Sequence, residues 1–388
     1  MGTASRALMP LMRSLIPSGR SPSGWPQTSD GSRSGAISGS ICMIHGRGPR
    51  ARPNIGTGLL AAALVLLVGP MAPLRAADLV GHGAMVNCVS VAPDGARALT
   101  GSWDYSAILW DLASGKPLTT LQEHGAGVTA VAFLPDGKRG LTGSRDAAIT
   151  LWDLEGGDAL RRYDGHSAAV AGLAVAPGGR LFASAGWDPA IRVWDVDTGA
   201  ELRRLDGHTG NVNAVAFTPD GRRLVSAGYD FTLRVWDTAT WEEGMVLEGH
   251  EGSVNAVAVS PDGRLAATAS SDETVRLWDL DAGKPLRTLH GHSGFVTSVA
   301  FAPDGRTLLS GGGGDQRLRL WDVASGRPLA VLRGHEKPVW AVAFTPDGRE
   351  ALSAGYDGVV RRWDVAAEAA RGPGGRAAER PAERSGEP

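Results

Sequence analysis

Short apolar runs alternate with polar turn residues along most of the chain. In the stretch Gly207 to Asp237, the runs Val212 to Phe217 and Arg223 to Ser226 are separated by Pro219-Asp220-Gly221. Runs that are rich in β-branched or aromatic residues and bounded by turn residues predict β-strands. Proline fixes φ, the aspartate side chain bonds its own backbone and glycine accepts a positive φ, which is the chemistry of a tight turn. No run in the stretch is long enough to predict a helix.

The same pattern returns at a fixed spacing. Six near-copies of this stretch surround it, 42 residues apart with a single step of 43. A fixed period of this length indicates an array of one supersecondary unit. Four predicted strands in each unit fit a β-propeller, in which every unit is a small twisted sheet. The sequence therefore predicts an all-β fold: a seven-bladed β-propeller of four-stranded antiparallel blades over residues 76–366.

Each unit carries a His, a Ser or Thr, an Asp and a Trp at fixed positions. This pattern resembles the WD-repeat family over about three quarters of the chain, from Ala76 to Val365. The resemblance implies that the four side chains form a hydrogen-bonded relay that locks each blade. There is also a physical reason for such a relay, because an unpaired buried polar group costs about 1 to 3 kcal/mol. The predicted sets are His82, Thr100, Asp104 and Trp110; His124, Thr142, Asp146 and Trp152; His166, Ser184, Asp188 and Trp194; His208, Ser226, Asp230 and Trp236; His250, Thr268, Asp272 and Trp278; His292, Ser310, Asp315 and Trp321; and His335, Ser353, Asp357 and Trp363.

The two ends of the array predict how the ring closes. The chain after Trp363 has no outer strand like Leu118 to Gln122. We expect Ala76 to Val80 to supply the missing strand, because closure removes a bare sheet edge that would otherwise invite aggregation. Residues 367–388 are mainly Ala, Gly, Pro, Arg and Glu and are predicted to form a disordered tail.

The segment before the repeats has two parts. Residues 1–54 are rich in Ser, Gly, Pro and Arg without apolar periodicity, which predicts a disordered leader. Residues 55–76 contain an apolar run with arginines before it and small residues after it, which is typical of a secretory signal peptide. The alternatives are an uncleaved membrane anchor and a cytoplasmic protein with a misread start. Because a signal peptide seldom begins so late, we hypothesise that residues 1–42 are upstream sequence and that Met43 is the true start.

Composition argues against several classes of function. The net charge of −2 gives no basic surface for nucleic acid. The recurring histidines are spread one per blade, so no three converge on a zinc ion. No nucleophile elbow, phosphate loop or Cys-x-x-Cys-His motif is present, and Cys88 occupies a small inward-facing slot typical of a hydrophobe. We therefore predict no catalytic residues, no metal and no cofactor. The scarcity of Lys beside abundant Arg, Ala and Gly favours a bacterial source.

One end of the ring is the predicted binding surface. The His loop and the Asp turn lie at the same end of each blade, the top face, because the intervening strands run down and back. Val86 and Val89 are three residues apart, which predicts a bulge that aims neighbouring side chains toward the top and the channel. These neighbours are mainly Asn and Thr, without the Asp, Glu or His that proton transfer requires. The residue types enriched at binding hot spots are Trp103, Arg145, Trp187, Tyr229, Phe295, Trp340 and Tyr356, although some rings could only pack over the adjacent blade.

The sequence thus favours a non-catalytic protein–protein interaction scaffold of the bacterial cell envelope. We expect an exported monomer, periplasmic or extracellular, that binds other proteins through the top face. An alternative is an accessory subunit that positions a separate redox or cytochrome partner, since exported proteins resembling this one can continue into a c-type cytochrome domain. A weaker alternative is a small-ligand binder or propeller enzyme that uses the channel mouth.

Overall fold

The repeats fold into four-stranded antiparallel sheets. The computed structural model describes residues 77–374 and contains seven such sheets. The prediction of an all-β, seven-bladed propeller is therefore confirmed. The leader, the apolar segment 55–76 and the tail from residue 375 lie outside the described residues.

The strands of the first half are β1 (Leu79–Val80), β2 (Val86–Val91), β3 (Arg97–Ser102), β4 (Ser106–Asp111), β5 (Lys116–Gln122), β6 (Val128–Phe133), β7 (Arg139–Ser144), β8 (Ile149–Asp153), β9 (Ala159–Tyr163), β10 (Val170–Val175), β11 (Leu181–Gly186), β12 (Ala190–Asp195), β13 (Glu201–Asp206) and β14 (Val212–Phe217). The second half contains β15 (Arg223–Gly228), β16 (Leu233–Asp237), β17 (Glu243–Leu247), β18 (Val254–Val259), β19 (Leu265–Ser270), β20 (Val275–Asp279), β21 (Lys284–Leu289), β22 (Val296–Phe301), β23 (Thr307–Gly312), β24 (Leu318–Asp322), β25 (Pro328–Leu332), β26 (Val339–Phe344), β27 (Glu350–Gly355), β28 (Val359–Asp364) and the helix α1 (Val365–Arg371). Blade 1 comprises β2–β5, and the later blades follow in order to blade 7, which comprises β26–β28 with β1.

The predicted bulge is present in the innermost strand of every blade. In β2 the register against β3 shifts between Val86 and Cys88, and the six corresponding strands shift at the equivalent point. A bulge leaves one extra residue unpaired and turns its side chain away from the alternation of the strand. In four blades the side chain of the residue after the first valine bonds to the neighbouring blade.

The ring is closed by the N-terminal strand. Leu79 pairs with Val360 and Val80 with Val359, so β1 becomes the outer strand of blade 7. Leu79 is fully buried, and the Asp78 carboxylate lies 2.9 Å from Nη1 of Arg361. The closing strand is shorter than the predicted Ala76 to Val80, and the ion pair of Asp78 holds the chain just before it.

The C-terminal end differs from the sequence prediction. Residues 365–371 form α1, where the sequence predicts the end of the propeller and the start of a disordered tail. The Asp364 side chain caps the helix by accepting from the Ala367 N–H, an N-cap bond typically worth about 1 kcal/mol. The alanines that looked like low-complexity tail also have the highest helix propensity. α1 packs against β25 of blade 6, so burial of one side supplements this local propensity.

The hydrophobic core is divided among the boundaries between blades. Each of seven apolar clusters combines residues of two consecutive blades, as where Leu151 and Tyr163 of blade 2 meet Val170 and Trp194 of blade 3. At the bottom face, the glycine of each Pro-Asp-Gly turn has φ between +67° and +73° and sits against the proline of the preceding blade. A side chain at Gly95, for example, would come within 3.4 Å of Pro346. Glycine is therefore needed at this turn position both for the positive φ and for the close approach of consecutive blades.

Candidate functional site

The structure brings all seven predicted relay sets together. In each blade the Trp Nε1 donates to the Ser or Thr hydroxyl at 2.8–2.9 Å. The same hydroxyl lies 2.7–2.8 Å from the His Nε2. The His Nδ1 lies 2.6–3.2 Å from the Asp carboxylate. Because the carboxylate only accepts, the proton of a neutral imidazole belongs on Nδ1, and Nε2 accepts from the hydroxyl.

Burial and hydrogen bonding act differently on the histidine and the aspartate of the relay. Burial lowers the pKa of His82, His124 and His166, an effect that outweighs the opposing contribution of the aspartates. Burial alone would raise the pKa of Asp230, but hydrogen bonds from His208, Thr209 and Thr232 hold it well below its usual range. A carboxylate that accepts several hydrogen bonds is stabilised in its charged form. Each aspartate therefore ties the histidine loop to the turn in which it lies.

The extra residue of blade 6, which makes the one step of 43 residues, lies in its glycine-rich turn and leaves the relay intact. Gly313 and Gly314 both donate their N–H groups to the carbonyl of Phe295, at 2.9 and 3.2 Å. His292 remains 3.0 Å from Asp315. A side chain at Gly313 would collide with the Phe295 ring, so the extra glycine supports an aromatic residue of the top face.

The residue directly before each relay aspartate lies on the top face and differs between blades. In chain order these residues are Trp103, Arg145, Trp187, Tyr229, Ser271, Gly314 and Tyr356. The four aromatic side chains are 38–58% exposed. Trp103 also packs over Gly127 of the next blade, so its ring is held in place while part of its face remains in solvent. Both interpretations offered by the sequence apply, because these rings pack and are exposed at once.

Arg145 lies between two indole rings. Its guanidinium carbon is 4.5 Å from the centroid of Trp103 and 5.3 Å from that of Trp187. Arginine over a tryptophan face is attracted by the ring quadrupole. Among the described residues, Arg145 makes no ion pair, so its charge is available to an incoming carboxylate. The three stacked side chains, which we call the Trp103–Trp187 ladder, extend over blades 1, 2 and 3.

A second aromatic group lies at blades 6 and 7. Phe295 is 36% exposed, and its ring centroid is 6.3 Å from that of half-buried Trp340. The Nε1 of Trp340 is buried without a hydrogen-bond partner. Nearby, the ammonium of Lys337 lies 5.6 Å from the centroid of Tyr356. All predicted partner-binding residues therefore lie on one face, in blades 6, 7, 1, 2, 3 and 4.

The sequence interpretation missed two exposed aromatics, Tyr105 and Phe231. They directly follow the relay aspartates of blades 1 and 4, with φ of 73° and 70°, and are 54% and 42% exposed. Bulky residues rarely adopt a positive φ, whereas Gly358 of blade 7 occupies the same position without strain. An aromatic residue at a turn position that suits glycine was the signal in the sequence that could have identified them.

Blade 5 has no aromatic residue next to its relay aspartate. Its equivalent positions hold Ser271 before the aspartate and Glu273 after it, and Glu251 follows the relay histidine. All three side chains are exposed. The top face thus has an aromatic and cationic arc over six blades and an acidic gap at the remaining one.

Four polar residues of the channel mouth make hydrogen bonds between blades. The Asn213 amide donates to Val254 O at 2.9 Å, and the Asn255 amide donates to Val296 O at 2.8 Å. Thr129 and Thr297 donate in the same way to Val170 O and Val339 O. These side chains, which the sequence placed at the channel mouth, hold the inner strands together. A ligand at the channel mouth would have to compete with these bonds.

The described residues contain no group of three or more His, Cys, Asp or Glu side chains placed to hold a metal ion. Burial raises the pKa of Cys88 to about 12, and its thiol donates to the Gly101 carbonyl at 3.8 Å. A thiol is unreactive when it stays protonated. Within residues 77–374, no helix is both long and apolar enough to span a membrane.

Comparison with known proteins agrees with this geometry. A family model described as WD domain, G-beta repeat matches residues 74–111, 115–153, 157–195, 199–237, 241–279, 283–322 and 326–364. The chain belongs to the WD40 repeat family. WD40 propellers generally act as protein-interaction scaffolds. The chain is also 50% identical over 44 residues to the small ribosomal subunit protein RACK1z of Oryza sativa subsp. japonica, a match that covers 11% of this chain and 13% of that protein.

Proposed function

We propose that this WD40 propeller is a non-catalytic scaffold that binds partner proteins through its top face. The observation that carries the proposal is the aromatic arc, in which partly exposed rings lie beside Arg145, a cation that has no ion pair within residues 77–374. Trp, Tyr and Arg are the residues most enriched at binding hot spots. Because the relays fix the turns that carry these residues, the surface is organised before a partner arrives, which lowers the entropy lost on binding.

The arc also predicts where a partner sits. The partner contacts blades 7, 1, 2, 3 and 4, where Tyr356, Trp103, Arg145, Trp187 and Tyr229 lie, and avoids the acidic blade 5. A partner that places a carboxylate against Arg145 satisfies the one charge in the Trp103–Trp187 ladder. Like charges facing each other would disfavour the same carboxylate at Glu251 or Glu273.

A paired-variant capture experiment tests this function. The tagged wild-type protein and the variant Trp103→Ala/Tyr356→Ala are used to isolate partners, which are quantified by mass spectrometry. The matched control is Leu118→Ala/Val246→Ala, which removes exposed side chains from the outer strands β5 and β17. We expect the top-face variant to lose partners that the control retains, with both proteins folded. If both variants retain the same partners, the top face is not the binding surface.

We further propose that the scaffold acts in the bacterial cell envelope after export. The support is the basic, apolar and small-residue order of the segment before the repeats. Asp78 and Leu79 are the first residues that close the ring, so cleavage between Pro73 and Ala77 would leave β1 whole. The test is the intact mass of a C-terminally tagged protein from separated periplasm and membrane. An unprocessed species in either fraction would contradict the proposal.

A further inference from the structure

On the bottom face, two boundaries between blades are crossed by the same ion pair. Between blades 2 and 3, Arg139 at the start of β7 reaches Asp197, with 3.0 Å between Nη1 and Oδ1. Between blades 4 and 5, Arg223 at the start of β15 reaches Asp281, with 2.8 Å between Nη2 and Oδ1. The arginine is the first residue of the second strand, and the aspartate lies in the turn after the third strand of the next blade.

Four other boundaries are filled in different ways. Arg97 donates to Gly137 O at 2.8 Å between blades 1 and 2, and Arg362 donates to Leu112 O at 2.5 Å between blades 7 and 1. Between blades 3 and 4, the ring of Trp241 packs onto the apolar cluster. Between blades 6 and 7, α1 covers the surface, with Val365 and Leu329 packed on the same cluster.

The boundary between blades 5 and 6 has neither the ion pair nor a covering ring or helix, and the bond from Arg287 to Ala324 O crosses it at one side. Leu265 occupies the position of Arg139 and Arg223, and Ala324 occupies that of Asp197 and Asp281. A cleft of about 560 Å³ remains there, compared with about 250 Å³ at the ion-paired boundary between blades 2 and 3. Its apolar lining includes Leu265, Leu277, Leu286 and Val323, and its polar lining is Arg287, Arg306 and Asp322.

We propose that this cleft is a second docking site, which binds an acidic peptide segment that carries an aliphatic side chain. The volume lies within the range of about 300–1,000 Å³ typical of binding pockets. Leu286 is 45% exposed, whereas its counterpart Leu329 is part-buried beside α1. At the neighbouring boundary, the segment that covers this surface is a short helix, which packs on β25 and buries Glu368.

The charges at the cleft select an acidic partner. The exposed Arg306 side chain makes no ion pair among the described residues. Arg287 donates to Ala324 O, which holds its guanidinium at the mouth. The Asp322 carboxylate already accepts from the N–H and hydroxyl of Ser325, at 2.7 and 2.5 Å. A carboxylate from the partner thus meets two guanidinium groups and one aspartate whose carboxylate already accepts hydrogen bonds within its own turn.

The test selects peptides that bind the full chain while a variant with a closed cleft competes for those that bind elsewhere. A random library of linear peptides is selected on the full chain in the presence of excess soluble Leu265→Arg/Ala324→Asp variant. That variant should create the ion pair that bridges two other boundaries, so it closes the cleft with residues the fold already accepts. We expect enriched peptides to carry Glu or Asp beside Leu, Ile or Val. No enrichment, or enrichment of basic peptides, overturns the proposal.

Binding of the leading peptide is then measured by fluorescence anisotropy. The closing variant should weaken it by about tenfold or more, which corresponds to about 1.4 kcal/mol. Arg306→Glu, a change to an exposed side chain that leaves the cleft open, should weaken it by about fivefold and serves if the closing variant does not fold. The top-face variant Trp103→Ala/Tyr356→Ala should bind the peptide unchanged, which separates this site from the proposed scaffold surface. Equal binding to wild type and Arg306→Glu contradicts the charge assignment.

Discussion

Two adjacent positions in every blade follow opposite rules. The relay aspartate is the same residue in all seven blades, whereas the residue before it is Trp, Arg, Trp, Tyr, Ser, Gly or Tyr. The two positions share one turn, so backbone geometry does not explain the difference. The aspartate accepts hydrogen bonds from a buried histidine, and its neighbour projects into solvent. Burial of polar groups fixes the first position, and the second is free to serve binding.

The largest difference between a relay position and a rim position should appear when the central hydroxyl of one relay is removed. Ser226→Ala deprives both Trp236 Nε1 and His208 Nε2 of a partner inside blade 4. Each orphaned group costs about 1 to 3 kcal/mol, so we expect a loss of about 2 to 5 kcal/mol in the free energy of unfolding. Denaturant titration measures it. Ser271→Ala, on the exposed rim of blade 5, is the control and should stay within about 0.5 kcal/mol.

Removing the carboxylate at the end of the relay should have the next largest effect. Asp230→Ala leaves the Nδ1–H of His208 and the N–H of Thr209 without their acceptor. We expect a loss of about 1 to 3 kcal/mol, read from the thermal unfolding temperature. Replacing the adjacent Tyr229 with Ala should change stability less. An unchanged unfolding temperature for Asp230→Ala would refute the relay as a stabilising element.

Acid should weaken the relays without any substitution. The pKa of His166 is lowered in the folded state by burial, so the unfolded chain takes up protons first as the pH falls below about 6.5. The pKa of Asp188 is also lowered, because bonds from Ser167 and His166 outweigh its burial, and its contribution is lost below about pH 4. We therefore expect the unfolding temperature to fall from pH 7 to pH 5 and more steeply below pH 4. In His166→Gln the decline between pH 7 and pH 5 should be shallower. A flat profile between pH 7 and pH 5 would contradict the assignment.

The smallest expected effect has the opposite sign. Phe231→Gly relieves a left-handed conformation that Gly358 adopts freely in blade 7. Loss of ring contacts offsets part of this gain, so we expect stability to stay within about 1 kcal/mol of wild type. Partner capture should nevertheless fall, because an exposed ring of the aromatic arc is lost. A marked loss of stability would instead show that Phe231 is part of the core.

The repeated features could be predicted from the sequence because each is local and recurs in six or all seven blades. The turn Pro-Asp-Gly, the bulge after Val86 and the positions of the relay residues all follow from short patterns in a fixed register. Features that occur once were harder. α1 was missed because its alanines resemble low-complexity tail, and its stability depends on packing against blade 6. Tyr105 and Phe231 were missed because the residue after the relay aspartate differs in every blade and therefore has no recurring pattern.

The period, the turn chemistry and the apolar alternation were sufficient to specify the blade, the number of blades and the place of closure. The blade follows from hydrogen bonding and burial within one unit, whereas the number of blades follows from the count of repeats and the place of closure from the missing outer strand after Trp363. Contacts between blades are encoded by residues about 40 positions apart, as when Asn213 bonds to Val254 O or Arg139 to Asp197. Residues so far apart cannot be recognised as a pair from a short stretch of sequence. Only the folded ring shows that Asn213 is occupied, that Arg145 is held between two indoles and that the cleft beside Leu265 is open.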